Sequence, residues 1–233
     1  MESEFTLFGP VHLSILGAVP LAAAGLVWWS RGSTVRARWV RWCLGGILLA
    51  NEMLSYVYRL QQGWIHFPHG LPLHLCDAAI WLTIITLFTL RPWATDLAYY
   101  WTIAGTSMAV LTPDLSVPFP SIPAIQYFIS HGGAITAMLA LIWSRQSRPR
   151  SASLWTVMGI TCAVVAGVGI FNWVFDTNYM YLCRKPLRAS LLDLLGPWPV
   201  YLGGGLIVAC LLFFLLWLPF RSSGRRAGSL SAD

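Results

Sequence analysis

The sequence predicts an all-α integral membrane protein, a bundle of about seven transmembrane helices with re-entrant or interfacial segments on its outer face. Three observations carry this. Hydrophobic residues fill 57% of the 233 positions and charged residues only 10%, and a water-soluble globule of this size has too little polar surface to balance such a composition. The chain also divides into apolar stretches close to the roughly 20 residues that cross hydrocarbon. Finally, basic residues gather in short loops on alternate sides of those stretches, which is the positive-inside pattern.

The spans are expected near 11–29, 38–60, 71–90, 95–111, 124–143, 154–173 and 199–219. The first opens on His12 and is followed by Arg31, Arg36, Arg38 and Arg41. The second carries Asn51 and Glu52 past its middle, and the third has His74, Cys76 and Asp77 in its first turns. The fourth is short, starts at Asp96 and runs out at Thr112 and Asp114, so six helices is the alternative count. Between 112 and 123, Pro113, Pro118, Pro120 and Pro123 stand among apolar residues, too stiff for a helix and too apolar for a solvated loop. That segment is expected to fold back over a pocket mouth. Gln126, Ser130 and His131 open the fifth span, and Asn172, Asp176 and Asn178 close the sixth. Beyond it, Pro186, Pro197, Pro199 and the stretch Ala189 to Leu195 predict an interfacial helix.

With the N-terminus outside, Arg91, the group Arg145, Arg148 and Arg150, and the group Arg221, Arg225 and Arg226 all join the first basic loop on the cytoplasmic side. The net charge of +6 then reflects topology in the cell membrane, and no nucleic-acid partner is expected. The acidic start Met1, Glu2, Ser3, Glu4 lacks the basic region of a cleaved signal peptide, so the first helix should persist. Residues 1–221 read as one transmembrane domain and 222–233 as a disordered basic cytoplasmic tail.

Ionisable groups inside a membrane normally face the bundle interior and mark a site. Here they concentrate toward the outer end, which favours a pocket over a continuous conduit. A small-solute or ion transporter lined by Glu52, His74, Asp77, Asp114 and His131 is the alternative, as is a non-catalytic lipid-binding protein. Cys76 is the candidate nucleophile, since a thiol needs only a neighbouring base to become reactive. His131, followed by Gly132 and Gly133, is the natural base. Each also reads as an ordinary packing residue. His74 is the rival base: on a regular helix it points away from Cys76 but toward Asp77, which is placed to orient it. Asn51, Glu52, Asp114, Gln126 and Ser130 are supporting polar candidates. Spacing among His66, His69, His74 and Cys76 matches no zinc pattern, so neither metal nor cofactor is expected. A disulfide between Cys76 and Cys183 stays open. Arg184, Lys185 and Arg188 form the outer basic cluster, either a solvated patch or a phosphate or lipid-headgroup contact.

Four motifs then occur in order: Leu71-Pro72-Leu73-His74-Leu75-Cys76-Asp77; Leu111-Thr112-Pro113-Asp114-Leu115; Gln126-Tyr127-Phe128-Ile129-Ser130-His131-Gly132; and Asn178-Tyr179-Met180-Tyr181-Leu182, continued by Lys185-Pro186 and the run Ser190 to Pro199. Together they resemble the bacterial YwaF-type integral membrane family, from about the second helix to the seventh. That family is similar to a eukaryotic transmembrane phospholipid acyltransferase that works through a cysteine. The resemblance implies Cys76 as nucleophile, His131 as its partner and membrane lipids as substrates, for acyl transfer or ester hydrolysis. On that chemistry Asn172, Asn178 or Tyr179 would donate to an oxyanion, and Arg184, Lys185 or Arg188 would hold a phosphate.

Overall fold

The computed structural model describes residues 5–115, 117–186 and 190–221, and the tail expected at 222–233 lies outside them. Its helices are α1 (Pro10–Ser30), α2 (Thr34–Gln61), α3 (Leu75–Thr89), α4 (Pro92–Tyr100), a π-helix (Trp101–Thr106), α5 (Ser107–Leu111), α6 (Ile122–Trp143), α7 (Ser153–Phe175) and α8 (Val200–Trp217). Pro10, Pro92 and Pro123 sit in first turns, where a missing N–H is harmless. The Ser33 side chain accepts from Arg36 N at 3.3 Å and caps α2. Among the described residues there is no β-strand, and the protein is an all-α membrane protein.

Four segments, α1, α6, α7 and Val200–Phe220, are long and apolar enough on their own to cross a membrane. The others fall short individually. α2 carries Arg36, Arg38 and Arg41 near its start and Asn51 and Glu52 further on, α3 has 15 residues, and α4, the π-helix and α5 follow one another as separate stretches. α6 is the central post: 56% of its membrane window is buried, against 11% for α1 and for α8. α3 packs beside it, enclosing Ile80, Ile84 and Leu87 with Leu48, Tyr100, Met138, Leu141 and Phe213. The apolar flanks of α1, α7 and α8 face outward, as bilayer solvation allows.

Polar groups within this core satisfy one another. Ser130 Oγ donates to Glu52 Oε1 while accepting from Asn51 Nδ2 at 2.7 Å, and that amide also donates to the Gln126 carbonyl at 3.1 Å. Asn51, Glu52, Ser130 and the backbone of Gln126 thus form an α2–α6 clamp. Thr83 and Thr102 hydroxyls meet at 3.0 Å and tie α3 to the π-helix. At the basic end, Asp96 accepts from Arg150 Nε at 2.7 Å and from Arg150 N at 2.8 Å, so the acid that weakened the fourth span is fully paired.

Part of the proline-rich segment packs onto α1 and α6. Leu115 is buried beside Ala124 and Phe128, with Phe5 and Ile15 packed against them. The expected interfacial helix is only a 3-10 turn, Leu191–Leu195. Gly196 follows at φ 91°, a conformation reserved for glycine, and Pro197 and Pro199 prevent any continuation. Lys185 reaches Asp193 at 3.3 Å, and Asp193 also accepts from Ser190 N at 2.8 Å. These contacts, the backbone one first, hold the Asp193 carboxyl below its ordinary range.

The clamp makes a thermodynamic prediction. In a double-mutant cycle, Asn51→Ala and Ser130→Ala should be coupled by roughly 1 kcal/mol, because the second change removes a partner already lost. Unfolding in detergent–denaturant mixtures reads the coupling, and strict additivity would show that the two side chains act independently.

Candidate functional site

The site is assembled where α3 begins. His74 lies just before the helix with extended backbone (φ −75°, ψ 146°), and the Asp77 carboxylate accepts its N–H at 3.1 Å. Asp77 therefore caps α3 and does not orient the His74 ring. Because His74 is not helical, the rule that separates residues two apart fails. Its ring lies 5.9 Å from that of Tyr181 and 5.4 Å from that of Tyr179. His74 and Cys76 both stand at the start of α3.

The π-helix brings in Thr106, whose hydroxyl hydrogen-bonds Cys76. A π-turn inserts one residue relative to an α-helix and rotates the residues C-terminal to it, which aims Thr106 at α3. From α6, His131 Nδ1 lies 2.9 Å from the Tyr127 carbonyl one turn earlier, and the two rings stack with centroids 4.1 Å apart. A carbonyl only accepts, so Nδ1 carries the proton and Nε2 the lone pair. The Tyr127 hydroxyl donates in turn to the Ala109 carbonyl at 2.7 Å.

A strap over Tyr179–Tyr181 covers this cluster. Asn172 is 1% exposed and builds the strap: its Nδ2 donates to Tyr179 O at 2.9 Å, and its Oδ1 accepts from Tyr179 N at 2.9 Å and Thr177 Oγ1 at 2.8 Å. The Tyr179 hydroxyl donates to Pro68 O at 2.8 Å and accepts from Leu71 N at 2.9 Å. Met180 N donates to His74 Nδ1 at 3.2 Å, which places the His74 proton on Nε2. The Tyr181 hydroxyl donates to Asp114 at 2.8 Å, and Tyr201 donates to the Tyr181 carbonyl. Burial first, then Asp114, pushes the Tyr181 phenol above its usual range, so it stays a neutral donor. Met180 (φ 56°) and Tyr181 (φ 54°) are left-handed, a strained conformation for residues with side chains.

The two histidines therefore stand in opposite tautomers. His131 presents an acceptor nitrogen and His74 a donor. His74 also lines an outward-opening cleft of about 260 Å³ with His69, Gly70, Asp176, Thr177, Asn178, Tyr179 and Arg184.

Several expected roles change. Asn172, Asn178 and Tyr179 are not free to serve an oxyanion. The amide of Asn178 donates to Arg184 O at 2.8 Å and accepts from Cys183 N and Arg184 N, each at 3.0 Å, while Asn172 and Tyr179 are committed to the strap. Asn51, Glu52 and Ser130 belong to the clamp. Asp114 positions Tyr181. Lys185 is paired with Asp193, Arg184 reaches the cleft, and Arg188 lies outside the described residues. Cys76 and Cys183 are both free thiols. Sequence reasoning missed Thr106, Tyr127 and Tyr181. Tyr127 is one turn before His131 and Tyr181 lies within the motif that starts at Asn178, so both were readable, whereas Thr106 depends on a register that only the π-turn creates.

Fold and site together define an all-α membrane protein in which a strap over Tyr179–Tyr181 holds His74 at the start of α3. The chain belongs to the TMEM164 family, whose profile matches residues 7–217. It is also similar to an uncharacterized protein of Treponema pallidum (strain Nichols), 30% identical over 184 residues that cover 76% of this chain and 70% of that protein. These matches place the chain in an integral membrane family without attaching the YwaF name or an activity to it. No solved structure matches.

Asn172→Ala should release the strap, at a cost on the order of 3 kcal/mol for the buried groups it strands. Trypsin cleavage after Arg184 should then accelerate relative to wild type, and unchanged cleavage would show that the strap is held by other contacts.

Proposed function

We propose that the protein modifies membrane lipids by acyl transfer or ester hydrolysis through Cys76 and His131. The observation that carries this reading is the fixed tautomer of His131, whose Nδ1–H is committed to the Tyr127 carbonyl and whose Nε2 lone pair is left to accept a proton. His131 Nε2 takes the Cys76 proton, and the thiolate attacks an ester carbonyl carbon. The His74 Nε2–H is the donor for the resulting oxyanion, replacing the committed asparagines. As the tetrahedral species collapses, the carbon–oxygen bond to the alcohol breaks, His131 returns its proton to that oxygen, and a thioester remains on Cys76. A lysolipid hydroxyl or water, deprotonated by His131, then attacks the thioester and regenerates the thiol. Throughout, the Tyr127 carbonyl stabilises the imidazolium through Nδ1–H. Arg184, at the cleft, is placed to hold a substrate phosphate.

The cleft lies at the end away from the Arg-rich loops, so positive-inside topology places it in the outer leaflet of the cell membrane, with the N-terminus outside and the C-terminus cytoplasmic. Seven spans give that parity.

Lipidomics of cells expressing wild type, Cys76→Ala, Cys76→Ser and His131→Ala tests the reading. Wild type should shift the acyl composition of at least one phospholipid or acyl-ester class, and all three variants should lose at least roughly 100-fold of that activity. Equal lipid profiles in wild type and Cys76→Ala would contradict the covalent mechanism. In the same cells, an impermeant thiol reagent should label the exposed Cys183 from outside, and labelling only after permeabilisation would invert the topology.

A further inference from the structure

A second cleft, about 760 Å³, lies at the other end of the bundle, between the α1–α2 turn and the last turn of α6. Nothing in the proposed reaction uses it. Its lining is graded along the membrane normal. Ala24 and Val27 of α1 form an apolar end, Trp28 and Trp143 flank it, and Arg31 and Arg145 stand at the polar end. Tryptophan is enriched at the depth of the lipid headgroups, so the gradient runs from acyl-chain depth to headgroup depth.

The charges at the polar end are uncompensated. No acidic residue lines the cleft, and neither the Arg31 nor the Arg145 guanidinium has an ion-pair or hydrogen-bond partner among the described residues. Arg145 is not needed to cap α6, because backbone N–H groups already take its final carbonyls: Ser144 N reaches Ala140 O, Arg145 N reaches Ile142 O and Gln146 N reaches Leu141 O. The first turn of α2, starting at Thr34, adds its positive end from the opposite wall. Two unpaired arginines and a helix N-terminus converge on one cleft from separate elements.

We infer that this cleft binds an anionic phospholipid of the adjacent leaflet, with its phosphate between Arg31 and Arg145 and an acyl chain along Ala24 and Val27. A free phosphate would use the arginines but not the apolar groove, and a zwitterionic lipid would bring a cation toward Arg31 and Arg145 with no carboxylate to receive it. The site is separate from the Cys76 cluster and does not rest on the proposed reaction.

The test is native mass spectrometry of the detergent-solubilised full chain with equimolar phosphatidylglycerol and phosphatidylcholine. Wild type should retain phosphatidylglycerol over phosphatidylcholine by roughly tenfold, as expected for two basic side chains near a headgroup. Arg31→Ala/Arg145→Ala should bring that preference to about onefold. Ala24→Phe, which fills the groove and leaves the charges, should reduce retention of phosphatidylglycerol severalfold, and it decides the matter if the double variant does not fold. Arg91→Ala, which removes a charge from the same end outside the cleft, should leave the preference intact. The inference is overturned by a wild type without preference, by an Ala24→Phe variant that binds like wild type, by an Arg91→Ala variant that loses as much as the double variant, or by displacement of the lipid with inorganic phosphate.

Discussion

The Asn172 side chain is the interaction on which the architecture of the site depends. Hydrocarbon offers no hydrogen bonds, so a non-helical turn at the membrane's edge persists only if protein groups satisfy its backbone. One buried amide does this for Tyr179 and Thr177. The three residues of the strap can then act in different directions: Tyr179 fastens the loop at Pro68 and Leu71, Met180 fixes the His74 tautomer, and Tyr181 holds the Asp114 loop. The left-handed backbone at Met180 and Tyr181 is offset by these contacts, and it turns successive residues toward separate partners.

The same constraint sorts the polar residues into two groups. Asn51, Glu52 and Ser130 hydrogen-bond one another across α2 and α6, as Asp96 and Arg150 do between their segments. They join helices. His131 and His74 are different, because each has one ring nitrogen committed to backbone and the other without a hydrogen bond among the described residues. A purely structural histidine is also present for comparison: fully buried His12 accepts from Phe8 N with Nδ1 at 2.9 Å and meets Val110 O with Nε2 at 2.8 Å, leaving nothing over.

Much of the bundle was legible because apolar runs and arginine loops obey simple solvent rules. The seven stretches each correspond to helical segments. Depth was readable, but partnership was not. Asn172 and Asn178 looked like donors because sequence cannot show that both ends of an amide are engaged. His74 was read as helical, whereas the helix begins one residue later. The interfacial helix expected at Ala189 to Leu195 is a 3-10 segment over Leu191–Leu195, ended by Gly196 and the prolines after it, and Ala189 lies outside the described residues. Thr106 was invisible, since a π-turn has no simple residue signature.

The central claim is that Cys76 on α3 and the ring of His131 on α6 face one pocket. Cysteine cross-linking tests it most directly, in a chain whose other cysteines, Cys43, Cys162, Cys183 and Cys210, are replaced by serine. With His131→Cys in that background, a short bifunctional thiol reagent should link positions 76 and 131 in the membrane, while Ile129→Cys, on the exposed side of α6, should not link to Cys76. Equal linking at both positions, or none at 131, would contradict the account.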